Sequence, residues 1–248
     1  MKIVDAAWEK RNLGVSCYEI NVEKEDSFSL LTDALENYKA DYMVVKLPAG
    51  MVEHSFFLQD HGFYFIETMT LCQYNLQRPM NLSSLQQRMV SDFTYQEMKE
   101  EDLQELFEEI KKGMFHTDRV ALDPFFTSDQ STNRYIGWIK DELQHQSSIY
   151  KVENKKGQSV GFFGYKEVRK DTGCSFLGGL YTAKKNLGLG TNLHYYAWQE
   201  GKKRGHKRFD ALFSSNNRGA TVVSMSLGYM LEEQYYVFVK HGKTETSN

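Results

Sequence analysis

The sequence predicts an α/β (α+β) protein built on a mixed, mainly antiparallel twisted sheet flanked by helices, and three observations carry that reading. Strand-rich and helix-spaced segments alternate from Val15 to Leu76. Three apolar runs between Ser148 and Thr182 are joined by turns so short that the strands must be antiparallel. After them a glycine-rich turn opens a helix, and further strand and helix patterns follow.

Taken in order, Val15 to Val22 and Tyr42 to Leu47 are rich in β-formers, and Ser27 to Tyr38 between them carries apolar residues at helical spacing. Val52 to Gln59 reads as a second helix ended by the Gly62 turn, and Phe63 to Leu76 as a long aromatic strand. The polar stretch Gln77 to Gln87, with Pro79 and Ser83-Ser84, reads as a linker, which divides the chain into residues 1–88 and 89–248.

The second part opens with a strand near Met89 to Met98 and an acidic helix near Glu101 to Lys112. A loop from Gly113 to Asp129 leads to a helix that Ser131 or Thr132 can cap and that runs through Leu143. Strands follow at Ser148 to Glu153, Ser159 to Val168 and Cys174 to Thr182. Gly188-Leu189-Gly190 opens a helix to about Arg204, Phe209 to Phe213 is a strand, and Asn216-Asn217 begins a helix that stops at Gly228. Tyr229 to Glu232 and Gln234 to Lys240 complete the sheet, and Gly242 to Asn248 reads as a frayed tail.

Composition bounds the function. Hydrophobic residues at 41% and charged residues at 25% exclude a disordered chain, a collagen and a coiled coil. The longest apolar stretches, such as Tyr235 to Val239, fall far short of the ~20 residues that span a bilayer. Met1 to Asp5 has no apolar core of a secretory signal, and Cys17, Cys72 and Cys174 stand far apart, so a reducing cytoplasm and no metal are expected. A net charge of -3 offers no general attraction to nucleic acid, and no membrane partner is expected. Lys184 to Arg208, however, holds seven basic residues against Glu200 alone, a local excess that invites an anionic ligand.

The strongest local signal is the run Lys184-Lys185-Asn186-Leu187-Gly188-Leu189-Gly190-Thr191 between a strand and a helix. Glycines let the backbone approach an anion, first-turn N–H groups point outward, and the helix dipole adds positive potential at the same place. Taken alone, the two glycines could equally make a tight strand-to-helix turn. A third glycine at dinucleotide-fold spacing is missing.

These residues resemble the Gcn5-related N-acetyltransferase (GNAT) superfamily, whose acetyl-CoA motif is Gln or Arg, two residues, Gly, one residue, then Gly or Ala. Here it reads Lys185-Asn186-Leu187-Gly188-Leu189-Gly190, with Lys at the first position. Asn217, Ala220, Val223, Leu227, Gly228 and Tyr229 match the superfamily's Asn-x-x-Ala helix ending in Gly-aromatic. A narrower resemblance, to the bacterial dTDP-fucosamine N-acetyltransferase subgroup, covers nearly the whole chain. Trp8 to Gly14, Val44 to Pro48, Asp60 to Phe63, and Phe115 to Arg119 with Phe125-Phe126 and Tyr135 to Trp138 carry it. It implies a partial GNAT-like lobe over residues 1–88 and a complete GNAT domain over 89–248.

The resemblance implies acetyl-CoA as acyl donor, with no metal, and a primary amine of a small polar acceptor as partner. An amino-sugar nucleotide is the first candidate, a peptide, polyamine or antibiotic amine the alternative, and the protein as a homodimer an allowed state. Pantetheine is expected along Leu180, Tyr181 and Thr182, with a backbone N–H near Leu180 on the thioester carbonyl. The diphosphate is expected on the N–H groups of Leu187, Gly188, Leu189, Gly190 and Thr191, the remaining phosphate on Lys184, Lys185 or the later basic cluster, and the cofactor arm against Asn217. The superfamily's usual proton donor, a Tyr seven residues after that Asn, is Ser224 here, a far weaker acid. Ser224 ordering a water, Tyr229 or Tyr181 substituting, unassisted thiolate departure, and a non-catalytic acyl-CoA-binding module all remain open. His116 and Asp118 are candidates for taking the amine proton, and Asp118 and Arg119 for holding the acceptor. His194 and His206 read as helix-surface residues, the Lys202 to Arg208 run as a solvated helix end, and the many aromatics as core.

Overall fold

The computed structural model describes residues 1–181 and 188–242. Its strands are β1 (Lys2–Asp5), β2 (Cys17–Asn21), β3 (Tyr42–Pro48), β4 (Tyr64–Asn75), β5 (Phe93–Glu97), β6 (Ser148–Asn154), β7 (Ser159–Arg169), β8 (Thr172–Leu180), β9 (Arg208–Ser214) and β10 (Met230–His241). The helices are α1 (Ala7–Leu13), α2 (Phe28–Asn37), α3 (Val52–Asp60), α4 (Ser84–Ser91), α5 (Glu100–Lys111), α6 (Arg119–Leu122), α7 (Ser128–Gln144), α8 (Gly190–Lys203) and α9 (Arg218–Ser226).

All ten strands join one sheet in the order β1-β2-β3-β10-β4-β9-β8-β7-β6-β5. The expected fold class is the one observed: the β2–β3 and β8–β9 pairs are parallel and the others antiparallel. β4, from residues 1–88, lies between β9 and β10, and β10 lies between β3 and β4, so hydrogen bonding is continuous across residue 88.

Alternation along each strand divides the core between two faces. On β7, Phe163 packs with Tyr196 and Ala197 of α8 and Phe209 of β9, whereas Phe162 packs with Leu106 and Ile110 of α5 and Ile139 of α7. On β3, Val45 joins Leu31 of α2 and Leu58 of α3, while Val44 joins Leu13 of α1 and Val120 of α6.

Local chemistry moves several boundaries from those expected. The strand expected from Met89 begins only at Phe93, because Ser83 and Gln86 form a reciprocal capping box that starts α4 inside the expected linker. The same device at Thr127 and Gln130 starts α7 before Ser131. Asp118 caps the short α6 by accepting from Ala121 N–H at 3.0 Å, inside a stretch expected to be loop. The two closing strands are one: a register shift between Leu231 and Glu233 interrupts the pairing without ending β10. β1 and α1 were not anticipated, and α1 ends at Gly14, whose φ of +81° suits glycine.

Candidate functional site

β8 and β9 start as a parallel pair and then part. Among the described residues their ladder ends at Ser175↔Ala211, while β8 continues to Leu180 and β9 to Ser214. At this splay lies a cavity of about 640 Å³ whose walls come from both faces of the sheet. Leu193, His194 and Ala197 of α8, with Asn217 and Ala220 at the start of α9, line one side. Glu67 and Met69 of β4, Arg119 of α6, and Arg134, Tyr135 and Trp138 of α7 line the other.

Of the residues expected on the acyl donor, Asn217 lines the cavity, while Leu180, Tyr181, Gly188, Leu189, Gly190 and Thr191 are not among its lining residues. Gly188 has a φ of +72°, and the residue before α8, Leu189, makes no side-chain cap, so the first-turn amides are not capped from within. Asn192 in that first turn is fully buried, and neither Oδ1 nor Nδ2 has a partner. Thr191 is buried beside it. Tyr181 N–H is donated to Val160 O at 3.0 Å; since successive strand amides point to opposite edges, Leu180 N–H is turned toward the parted β9 edge. The Tyr181 ring itself is buried among α5 and α7 residues. Asn217 lines the cavity and caps α9 by accepting from Ala220 N–H at 3.1 Å. These features fit a thioester-bearing pantetheine and its diphosphate. Thr182, Lys185 and Leu187, with the adjoining Lys184 and Asn186, lie outside the described residues.

The other side holds a chain of buried charges. Lys46 meets Glu19 at 2.9 Å; Arg119 reaches Glu19 and, at 3.0 Å, Glu9; Arg134 reaches Glu9 at 2.8 Å and Asp118 at 3.0 Å. Burial opposes the charge on Glu19, yet Arg119 and Lys46 hold its carboxyl down at about 2. Asp118 and Arg119, expected on the acceptor, therefore line the cavity while also being tied into this chain of ion pairs.

Glu67 stands apart from these pairs. It is 3% exposed, lines the cavity, and its Oε2 has no hydrogen-bond partner. Burial pushes its carboxyl above the ordinary range, against the opposing pull of the Ser214 hydroxyl and of Arg119. Val237 pairs with Glu67 but Phe238 pairs with Phe65, so β4 bulges at Ile66, immediately before this residue. The sequence offered one signal for it, the single acid in β4, among aromatic, aliphatic, threonine and amide side chains.

The structure does not bring the remaining expected groups to the cavity wall. Ser224 is fully buried with Oγ unpartnered, and it is not among the lining residues. Tyr229 is buried against Tyr74, at 5.2 Å between ring centroids, and against His194, at 5.9 Å. Its hydroxyl is unpartnered, and burial holds the phenol in its neutral form. His116 is exposed and does not line the cavity, while its neighbour Phe115 stacks on Tyr135 at 4.4 Å. His194, expected on the helix surface, instead faces the cavity, because α8 turns positions 193, 194 and 197 toward it. Burial lowers its pKa to about 4, so it is neutral at physiological pH. Among the described residues no group of three or more His, Cys, Asp or Glu could hold a metal ion, and no helix is long and apolar enough to cross a membrane.

No protein-family model matches the chain, and no curated protein sequence does. Solved structures do match. A GCN5-related N-acetyltransferase from Sphaerobacter thermophilus aligns over 97% of this chain and 75% of its own, at 12% identity and a TM-score of 0.62. A tandem GNAT protein from the clavulanic acid biosynthesis pathway aligns over 93% and 79%, at 10% identity and a TM-score of 0.55. The GCN5-related glucosamine N-acetyltransferase region of a fungal multi-domain β-N-acetylglucosaminidase matches 96% of this chain and 31% of that one, at 13% identity and a TM-score of 0.63. At these identities the likeness is one of fold: the chain has the fold of GCN5-related N-acetyltransferases.

Proposed function

We propose, with that fold as the premise, that the protein transfers an acetyl group from acetyl-CoA to a primary amine of a small polar acceptor, by direct attack when both substrates are bound. The observation that carries this reading is the cavity at the β8–β9 splay, lined by both faces of the sheet. A donor entering beside α8 and an acceptor entering beside α7 meet there without either having to pass the other.

Bound acetyl-CoA supplies an activated acyl carbon. Leu180 N–H, directed to the splay, is placed to donate to the thioester oxygen as charge develops on it. The uncapped first turn of α8, with Gly188 and Gly190 keeping the backbone open, would take the diphosphate, and Lys185 and Leu187 are carried into this proposal from the sequence motif. Asn217 holds the start of α9 against the cofactor arm. Trp8, Trp138 and Tyr135 give the acceptor side apolar walls. An amino sugar is the acceptor favoured by the subgroup resemblance and by the activity named for the fungal region; residues 1–88 would then act as the lobe that completes its pocket.

One observation favours a second reading, an acyl-CoA-binding module without turnover: Ser224 replaces the usual phenol and is buried away from the cavity. Calorimetric titration of acetyl-CoA into the protein and into a Gly188→Glu, Gly190→Glu variant tests the donor site. Micromolar binding lost in the variant supports both readings, and amine-dependent thiol release then selects the first. Absence of binding by the unaltered protein overturns both.

A further inference from the structure

We propose that Glu67, contributed by the N-terminal part of the chain, is the catalytic base, and that with Asn12 and Arg119 it forms a subsite for a primary amine whose neighbouring carbons carry hydroxyl or carbonyl oxygens. The inference rests on the acyl-transfer reading above and deepens it by naming the residue that takes the proton and the acceptor chemistry it selects.

Hydrogen-bonding capacity left over in the cavity wall is the first argument. Three residues lining the acceptor side each have a buried polar atom with no partner: Glu67 Oε2, Arg119 Nε and Asn12 Nδ2. One is an acceptor of carboxylate type and two are N–H donors. Buried groups of this kind are ordinarily satisfied, and a ligand that completes them must bring an N–H to the carboxylate and oxygen lone pairs to the two donors. A hydroxylated amine brings both, whereas an oxygen-free polyamine leaves Arg119 Nε and Asn12 Nδ2 unmatched. The Lys46, Arg119 and Arg134 charges are already met by Glu9, Glu19 and Asp118, so the wall recognises the acceptor's polar atoms through these leftover positions.

Position is the second argument. The bulge at Ile66 re-aims β4 immediately before Glu67, and Ser214, the last residue of the parted β9, lies against its carboxyl. The carboxylate is therefore held at the splay, on the face opposite α8. An acceptor ammonium docks on it, and one N–H proton passes to Oε2. The freed nitrogen pair forms the C–N bond to the acyl carbon, the C–S bond breaks with its electron pair on sulfur, and the nitrogen's second proton passes through water to the thiolate. Glu67 returns its proton to solvent as product leaves. His116, exposed and outside the cavity, has no place in this path.

Thiol release from acetyl-CoA would be followed with glucosamine, serinol and ethanolamine, against cyclohexylamine and putrescine as oxygen-free amines. Glu67→Gln would be run beside the unaltered protein, with acetyl-CoA affinity measured on both. The expected result is turnover with at least one hydroxylated amine, at least about tenfold above the oxygen-free set, and unchanged acetyl-CoA affinity in Glu67→Gln with kcat lowered about 10²–10⁴-fold. The pH profile gives a readout that a purely structural role would not move: the variant's rate follows the free-amine fraction alone, while the unaltered protein stays active at lower pH. Acetyl-CoA binding with Glu67→Gln kinetics unchanged, or with no advantage for hydroxylated amines, overturns this inference and leaves acyl transfer standing. No acetyl-CoA binding at all overturns the reading beneath it.

Discussion

Arg119 and Glu9 meet at 3.0 Å with both side chains almost wholly removed from solvent, and Arg119 also reaches Glu19, so one guanidinium joins α1, β2 and α6. Replacing Arg119 with Met would take one cation from each of two buried carboxylates, leaving Glu9 to Arg134 and Glu19 to Lys46. Loss of about 1.5–3 kcal/mol of stability is expected, read by urea denaturation. Arg119→Lys should recover only part of it, since a single ammonium cannot satisfy both acids with the same fork geometry.

Residues 89–248 expressed alone should not give a folded, acetyl-CoA-binding protein. β10 would lose both its partners, β3 and β4, and β9 would lose β4. A soluble fragment with a cooperative thermal transition and intact binding would contradict this.

Gly188→Ala should weaken acetyl-CoA about tenfold in calorimetry while leaving the melting temperature little changed. Among the described residues only the Met89 side chain stands near the new Cβ, at 3.6 Å, so space is not the obstacle there. The obstacle is the φ of +72°, which disfavours an L residue by about 1–2 kcal/mol and would be relieved by moving the turn.

Ser224→Ala should leave kcat and acetyl-CoA affinity unchanged, and its thermal stability equal or slightly higher. The hydroxyl is buried without a partner, so its removal breaks no hydrogen bond. A large fall in kcat would restore Ser224 to the reaction path that its sequence position suggested.

Stability should respond to pH in opposite senses at two cavity residues. Glu67 has a raised carboxyl, so above its unfolded value of 4.5 the native state holds a proton the unfolded chain has lost, and stability falls as pH climbs through that window. Glu67→Gln should therefore raise the melting temperature at neutral pH and change it little near pH 4. His194 is depressed from 6.5 to about 4, so the stability its neutral form contributes is present above 6.5 and lost as pH falls toward 4. His194→Leu should flatten that part of the acid limb in thermal melts.

Motifs with local physics were readable from sequence. The Gly188-Leu189-Gly190 turn into α8 and the Asn217 cap of α9 stand where spacing put them, because backbone conformation and capping are decided within a few residues. Glu67 was not readable as a site residue. Its meaning depends on β4 entering between β9 and β10, a pairing that no local pattern encodes. Ser224 and His194 show the same limit on a smaller scale. Helical phase alone did not tell which side of α9 meets the core or that α8 turns His194 to the cavity. The capping boxes at Ser83 and Thr127 were legible in principle, since Ser83-x-x-Gln86 and Thr127-x-x-Gln130 are sequence signatures.

The place of β10 has a consequence for the order in which the molecule comes into being. Val237 pairs with Lys46 on one side and Glu67 on the other, so two strands made early stay apart until β10, the last strand among the described residues, has arrived between them. Such distant closure is slow and leaves edges open to wrong pairing while synthesis proceeds. The same arrival brings Val237 opposite Glu67 and completes the ladder around the bulge at Ile66. A nascent chain short of β10 therefore has the Gly188-Leu189-Gly190 turn already made but Glu67 without Val237 opposite it, and the surroundings of Glu67 are set only when the sheet is completed.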